Sequence, residues 1–242
     1  MKILCLDIET APAHGYFWGL WDQNIGLNQI VDHGGVICFA AKWLGDRKIH
    51  FYSDHHDGHA AMVQAAHDLL SEADVVMHYN GKRFDIPHLH REFLEAGLTP
   101  PEPFEQIDLL TVVRSNFKFM SNKLANISVR LGLEGKVSHE GFGLWTGCMA
   151  GDEKAWRTMR RYNRQDVVLL EELYELLRPW VKNHPNMNLH DGKGCPFCGS
   201  DNLQKRGVRR TSVSAFQRFQ CLDCGGYSRT TKRTESTTRR TA

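Results

Sequence analysis

The sequence has no long apolar run: none approaches the roughly 20 residues that a membrane-spanning helix requires. We also expect no secretory signal, because the apolar stretch at its start is short and meets an acid at Asp7. No internal repeat is present, which argues against a repeat architecture. We therefore expect a cytoplasmic globular protein with no membrane partner.

The formal net charge of +2 conceals an uneven distribution. Residues 191–242 carry eleven lysines and arginines against four acids, whereas residues 1–190 carry nineteen against twenty-four. An acidic body suits bound cations, and a basic end suits an anionic partner. The alternative is that the basic end is a solvated tail that keeps the chain soluble. The length of 242 residues allows one large domain or a domain with a small appendage.

Hydrophobic periodicity predicts an α/β fold with a sheet of mixed strand direction. A first strand opens the chain, and a hairpin signal at Gly45-Asp46 separates the next two. The Gly-rich stretch at 134–151 is expected to be irregular. The remaining predicted elements are strands at 36–44, 48–53, 75–79 and 106–109, and helices at 60–72, 86–96, 122–131 and 152–181.

Four acidic residues come from three distant segments. Asp7 and Glu9 end the first strand on one face, because side chains alternate with period two. Asp85 follows a short strand, and Asp166 lies in the long helix one turn after Tyr162. An isolated D-x-E is most simply a polar strand end. Four acids together suit a pair of Mg²⁺ or Mn²⁺ ions, which prefer oxygen ligands and promote phosphodiester displacement.

Three motifs carry a family resemblance: D-I-E-T at 7–10, N-G-K-R-F-D at 80–85 and Y-N-R-Q-D at 162–166. In this order they resemble the motifs of the DEDD superfamily, the DnaQ-like 3′→5′ exonucleases built on an RNase H-like fold. The family divides by the residue that orients the attacking water, a His five positions before the last Asp or a Tyr four before it. Here those positions hold Arg161 and Tyr162. The chain therefore resembles the tyrosine (DEDDy) branch, which includes the proofreading domains of family B DNA polymerases.

The resemblance implies an RNase H-like domain over residues 1–182, with a mixed five-stranded sheet flanked by helices. It also implies that Asp7 bridges two metal ions, that Glu9 and Asp166 complete the first metal site, and that Asp85 holds the second ion. Tyr162 would orient the nucleophilic water, since a Tyr pKa near 10 suits orientation better than proton abstraction.

The implied substrate is a nucleic acid with a 3′ end, DNA more than RNA, and the product is a nucleoside 5′-monophosphate. Thr10 and Asn80 lie within the motifs and are expected to contact the nucleic acid. A stand-alone nuclease of this size suits a bacterial or phage-infected cell. No particular replication or repair partner is indicated.

Two C-x-x-C pairs lie near the C-terminus, separated by 22 residues. In a chain without a secretory signal, this spacing predicts one structural zinc ion held by four thiolates rather than two disulfides. The glycine after each pair lets the backbone fold over and donate N–H groups to the sulfurs. We place a linker at 183–194, a zinc ribbon at 195–229 and a basic disordered tail at 230–242. The expected zinc ligands are Cys195, Cys198, Cys221 and Cys224.

Arginines interleaved with aromatic residues in the ribbon suit phosphate contact and base stacking. The alternative is a structural clip or a protein-docking surface. The arginines expected to contact nucleic acid are Arg206, Arg209, Arg210 and Arg218.

Several alternatives stay open at this level. The chain resembles a 3′→5′ exonuclease most, but an RNase H-like endonuclease or resolvase, or a non-catalytic nucleic-acid-binding module, is the alternative. Asp108 is either a helix N-cap or an accessory acid. Trp18 and Trp21 suit base stacking, although a place in the core is the more usual one for aromatic residues. The three cysteines outside the ribbon, Cys5, Cys38 and Cys148, are expected to be buried thiols.

Overall fold

The computed structural model describes residues 1–133, 141–189 and 192–239. The chain divides into two compact units. The first comprises residues 1–111 and 118–173, and the second comprises residues 112–117 and 174–242. No helix within the described residues is both long and apolar enough to cross a membrane.

A mixed five-stranded sheet forms the centre of the first unit, with the strand order β5-β4-β1-β6-β7. The central strand β1 pairs antiparallel with β4 and parallel with β6. A separate two-stranded sheet joins β2 and β3. The strands are β1 (Ile3–Thr10), β2 (His14–Gly15), β3 (Ile30–Asp32), β4 (Val36–Trp43), β5 (Ile49–Ser53), β6 (Val75–His78) and β7 (Glu105–Asp108).

Seven helices accompany these strands in the described parts of the chain. They are α1 (Asp54–Asp57), α2 (His59–Glu72), α3 (Asp85–Glu95), α4 (Leu109–Asn116), α5 (Leu124–Arg130), α6 (Phe142–Met149) and α7 (Glu153–Leu177). Short 3₁₀ turns occur at Leu27–Gln29 and Arg178–Trp180. The fold is thus the helix-flanked mixed sheet that the sequence predicts.

The alternation of side chains along β1 separates the core from the acids. Leu4, Leu6 and Ile8 point to the face that α2 and α3 cover, where they join the main hydrophobic cluster. A second cluster on the opposite face is formed by β4, α6 and α7. Asp7 and Glu9 have the opposite parity to the apolar residues of β1 and therefore face the α7 side.

Two sequence-based expectations about the helices require correction. The stretch at 134–151 is not irregular throughout, because α6 occupies Phe142–Met149; residues 134–140 lie outside the described chain. Leu144 and Cys148, one turn apart, are both buried, and this packing outweighs the helix-breaking tendency of the nearby glycines. The long helix ends at Leu177 rather than at 181, because Pro179 follows in a 3₁₀ turn.

The second unit contains a three-stranded antiparallel sheet in the order β10-β9-β8. Its strands are β8 (Leu203–Arg210), β9 (Ser214–Cys221) and β10 (Tyr227–Ser236). The predicted limits of the ribbon and tail need correction, since β10 continues past residue 229 and pairs with β9 as far as Ser236. Backbone pairing needs no apolar side chain, and the β-branched threonines of 230–236 favour an extended strand.

The predicted linker at 183–194 also differs from the observed division. The second unit includes the chain from residue 174 onward, and the described part of the linker is hydrogen-bonded within that unit. The Tyr174 hydroxyl bonds His184 Nε2 at 2.7 Å, and the backbone N–H of Met187 donates to the Pro196 carbonyl at 2.8 Å. Polar composition suggested a free connection, but these contacts attach the segment to the ribbon side of the chain.

Candidate active site

Three carboxylates meet at the end of β1. One ligand oxygen each from Asp7, Glu9 and Asp166 lies within 4.8 Å of the others. The first two are partly exposed, whereas Asp166 is 2% exposed. Like charges at this separation oppose one another unless a cation lies between them. Carboxylate oxygens are the ligands that Mg²⁺ and Mn²⁺ prefer, so this donor set fits a hard divalent ion.

Asn163 links helix α7 directly to β1. Its side-chain Nδ2 donates to the Asp7 carboxylate at 2.7 Å and to the Asp7 backbone carbonyl at 3.2 Å. Asn163 is fully buried, so this hydrogen bond holds one Asp7 oxygen in a fixed direction. Asn163 lies inside the third motif, but the sequence alone indicates no role for it. Only the fold brings it against a residue 156 positions away.

Two further residues of α7, Arg164 and Glu171, hold the helix on the sheet. Arg164 Nη1 donates to the Ile49 carbonyl of β5 at 3.2 Å. Near the C-terminal end of the helix, Glu171 pairs with Lys42 of β4 and accepts the backbone N–H of Gly45. These contacts lie on both sides of Asp166 along the helix, so they fix the position of Asp166 relative to the sheet.

Asp85, the first residue of α3, is not part of this group of three carboxylates, but it contacts β1 between Asp7 and Glu9. Its Oδ1 accepts the backbone N–H of Ile8, the residue between the two acids of β1, at 3.1 Å. The side chain is 4% exposed, and burial raises the pKa of Asp85 to about 7. An ionised carboxylate here is therefore costly without a compensating cation.

A tight turn presents Asp85. Asn80 has a left-handed backbone (φ +71°), and its N–H donates to Asp108 Oδ1 at 3.0 Å. The N–H of Gly81 donates to Nδ1 of the buried His78 at 3.1 Å, and a Cβ at Gly81 would lie 2.4 Å from that imidazole ring. Burial lowers the pKa of His78, which keeps this nitrogen available as an acceptor. Glycine is required because the turn packs directly against the imidazole.

Asp108 has both an N-cap role and a link to the turn. Its Oδ1 accepts the N–H groups of Leu110 and Thr111 in the first turn of α4, which is the cap that the sequence allows. The same oxygen accepts the N–H of Asn80. Asp108 therefore couples the start of α4 to the turn that precedes Asp85.

Tyr162 lies on α7 within the same region and is 8% exposed. Burial raises the pKa of Tyr162 far above its ordinary value, and the neighbouring Asp166, Glu9 and Asp7 carboxylates raise it further. Its ring meets that of Trp145 edge-on, with centroids 6.2 Å apart. A pKa raised in this way keeps the hydroxyl protonated at neutral pH, so the group can donate a hydrogen bond but is unsuited to accept a proton as a base.

The four ribbon cysteines converge on one point. The Sγ atoms of Cys195 and Cys224 are 3.6 Å apart, and those of Cys198 and Cys221 are 3.7 Å apart. Tetrahedral Zn–S bonds of about 2.3 Å place two sulfurs about 3.8 Å apart, whereas a disulfide requires about 2.05 Å. Gly199 and Gly225 have left-handed backbones (φ +81° and +76°), as the two predicted turns require. The donor set fits zinc.

The residues expected to contact nucleic acid are placed as follows. Thr10 ends β1 and Asn80 stands in the turn before Asp85. Three of the four arginines, Arg206, Arg209 and Arg210, are exposed on the outer strand β8. The fourth, Arg218, lies on β9 over the ring of Tyr227, with its guanidinium 5.6 Å from the centroid.

Other sequence expectations have mixed outcomes. Trp18 and Trp21 are 98% and 84% exposed, so the core position that the sequence favours for them is wrong. Cys5, Cys38 and Cys148 are buried thiols, as expected. Burial raises the pKa of Cys38, with Glu9 the next largest cause.

Comparison with known proteins shows similarity to a protein family and to solved structures. A model of the RNase_H superfamily matches residues 4–178. Among solved structures, the chain is similar to a family B DNA polymerase from the hyperthermophilic archaeon Pyrobaculum calidifontis, with a TM-score of 0.57 and 16% identity. The alignment covers 88% of this chain and 31% of the polymerase chain, so this chain spans less than a third of that protein. No curated protein sequence matches.

Proposed function

The chain belongs to the RNase H superfamily, and from this premise we propose that it is a two-metal 3′→5′ exonuclease of the DEDDy type. It hydrolyses phosphodiester bonds from the 3′ end of DNA or RNA and releases nucleoside 5′-monophosphates. Superfamily membership and the shared fold support a nuclease hydrolase acting on nucleic acid. The observation that carries the finer proposal is the convergence of Asp7, Glu9 and Asp166, with Tyr162 one helical turn before Asp166.

In this proposal the four acids hold two Mg²⁺ or Mn²⁺ ions. Bound there, the ions supply a Lewis acid for the phosphate and an activated water. The protein supplies position and charge: Asn163 fixes the direction of the Asp7 carboxylate, and Asp85 adds a fourth acid beside Ile8. Tyr162 orients the water through a hydroxyl that stays protonated.

The proposal of 3′→5′ exonuclease activity, rather than internal cleavage, rests on the third motif. Tyr162 and Asp166 are one turn apart on α7, and the Asp166 carboxylate is among the groups that raise the pKa of Tyr162. This pairing resembles the proofreading domains of family B DNA polymerases, the class of protein whose solved structure shares this fold. An endonuclease or resolvase on the same fold needs the clustered acids but not this tyrosine.

The four-cysteine module is proposed to bind one structural zinc ion and to help hold the substrate. Its three-stranded sheet presents Arg206, Arg209 and Arg210 along an exposed edge strand. Arg229 lies over the ring of Phe216, 4.0 Å from the centroid, so cationic and aromatic groups alternate on neighbouring strands. Positive charge attracts phosphate, and aromatic faces accept any base.

The exposed aromatic segment at 16–21 is proposed as a second contact for nucleic acid. Trp18 and Trp21 lie shortly after Glu9 in the chain and expose nearly all of their surface. Burying an indole against a base removes this apolar area from water and adds stacking energy. A single-stranded 3′ end, whose bases are unpaired, is the substrate that suits this segment.

Product analysis tests the proposal. A 5′-labelled single strand, as DNA and as matched RNA, is incubated with Mg²⁺ or Mn²⁺, and a second copy carries a blocked 3′ end. We expect a ladder that shortens from the 3′ end, mononucleotide products, and no reaction on the blocked strand. Internal fragments from the blocked strand would instead identify an endonuclease.

A further inference from the structure

We propose a third metal site, for a divalent transition ion such as Zn²⁺, formed by His55, His56 and Glu153. One ligand atom from each residue lies within 4.8 Å of the others. His55 Nε2 is 2.8 Å from Glu153 Oε1, and His56 Nε2 is 3.5 Å from Glu153 Oε2. Tetrahedral Zn–N and Zn–O bonds of about 2.0–2.2 Å place neighbouring ligand atoms about 3.3–3.6 Å apart. The His56 separation matches this value, and the hydrogen bond between His55 and Glu153 would lengthen by about half an ångström when the ion binds.

The donor chemistry separates this site from the other two. Imidazole is a borderline ligand that suits Zn²⁺, Ni²⁺ and Cu²⁺, whereas the carboxylates of Asp7, Glu9 and Asp166 suit Mg²⁺ and Mn²⁺. The ribbon offers only thiolates. Two imidazoles and one carboxylate form a three-ligand zinc set that leaves a position for water.

Both imidazole rings are held in place by contacts other than those with Glu153. The His55 ring stacks on Trp156 with the centroids 5.2 Å apart and the planes 10° from parallel. Trp156 is itself buried and donates its indole N–H to the Cys148 carbonyl at 3.0 Å. His56 Nδ1 bonds Ser53 Oγ at 3.0 Å, which directs its Nε2 toward Glu153. A metal-binding histidine commonly has such a bond on its second nitrogen, because the bond fixes the ring and its tautomer.

Helical geometry alone does not bring these groups together. Consecutive residues on a helix do not normally face one partner, yet His55 and His56 of α1 both approach the carboxylate of Glu153, the first residue of α7. The three side chains keep 29%, 44% and 59% of their surface exposed, so an ion and a water molecule have access. A bound ion would cross-link α1 to the first turn of the helix that carries Tyr162 and Asp166.

Calorimetric titration with Zn²⁺ tests the site in the full chain, whose ribbon is loaded with zinc beforehand. Mg²⁺ in large excess competes with Zn²⁺ for the carboxylate site, and the difference between the parent chain and the variants below isolates the new site, because the two groups share no residue. We expect one further equivalent of Zn²⁺ to bind, and His56→Ala and Glu153→Gln to weaken this binding at least tenfold. His33→Ala, which removes an exposed histidine outside the cluster, should leave it unchanged.

Thermal unfolding gives the second measurement. Zn²⁺ should raise the Tm of the parent chain above its value in Mg²⁺ alone, because an ion that binds only the folded state stabilises it. The same addition should not raise the Tm of His56→Ala or Glu153→Gln. Equal zinc uptake and equal Tm shifts in the parent and both variants would overturn the proposal and leave the cluster as a hydrogen-bonded pair of histidines with one acid. Neither result depends on nuclease activity.

Discussion

Replacing Asp85 with asparagine should stabilise the metal-free first unit while removing an acid that the proposed reaction needs. Burial raises the pKa of Asp85 from 3.8 to about 7, and the side chain is 4% exposed. An acid whose folded pKa is raised destabilises the fold progressively as pH rises above the unfolded value, until the folded pKa is passed. At 1.36 kcal/mol per pKa unit, the full cost above pH 7 is roughly 4 kcal/mol.

The pH dependence isolates this cost from other effects of the substitution. Asparagine keeps an oxygen that accepts the Ile8 N–H, and any penalty from its amide N–H₂ is the same at every pH. The destabilisation caused by the charge on Asp85 increases by about 3 kcal/mol from pH 5 to pH 8. Since 1 kcal/mol shifts the Tm of a domain of 150–250 residues by roughly 2–4 °C, the Tm advantage of Asp85→Asn should grow by roughly 6–12 °C over this interval.

The assay is thermal unfolding of both proteins with the ribbon zinc bound and no added Mg²⁺ or Mn²⁺. Glu102→Gln, which neutralises an exposed acid, should show no growing advantage. A Tm difference between Asp85→Asn and the parent chain that is the same at pH 5 and pH 8 would refute the reasoning. It would mean that Asp85 is not a buried charge in the folded protein.

The remaining predictions concern the other parts of the site. Asn163→Ala should lower kcat about 10- to 100-fold and raise the Mg²⁺ concentration needed for half-maximal hydrolysis, because the Asp7 carboxylate loses its donor; an unchanged Mg²⁺ dependence would contradict this. Cys198→Ser should remove one equivalent of zinc by metal analysis and reduce the salt dependence of binding in fluorescence anisotropy. Trp18→Ala should weaken single-strand binding roughly 5- to 150-fold, from the 1–3 kcal/mol of one stacked base, and equal affinity would refute stacking there.

The sequence predicts the parts of the site that depend on local periodicity. Alternation along β1 places Asp7 and Glu9 on one face, as the structure confirms; that this face turns toward α7 is seen only in the fold. Helical spacing brings Tyr162 and Asp166 onto one side of α7. Each C-x-x-C turn is likewise local, whereas the two pairs meet because β8 pairs with β9 between them.

The parts that escape sequence reasoning depend on contacts between distant segments. The role of Asn163 exists only because α7 crosses β1, and the raised pKa of Asp85 follows from packing around the start of α3. The apolar character of Trp18 indicates burial, but residue type alone does not distinguish a core aromatic residue from an exposed one that binds a ligand. Strand β10 extends to Ser236 because β9 offers a pairing edge, which a tail of polar residues does not reveal.

Divalent-ion-dependent hydrolysis by the parent chain and by two single variants tests the central claim most directly. The release of mononucleotides from a single strand is measured for the parent chain, Asp7→Asn and Asp166→Asn, with Glu102→Gln as the control. We expect Mg²⁺- or Mn²⁺-dependent release by the parent and the control, and loss of nearly all of it in both variants, because each removes a carboxylate from the group at β1. Unchanged metal-dependent release by Asp7→Asn or Asp166→Asn would contradict the assigned site.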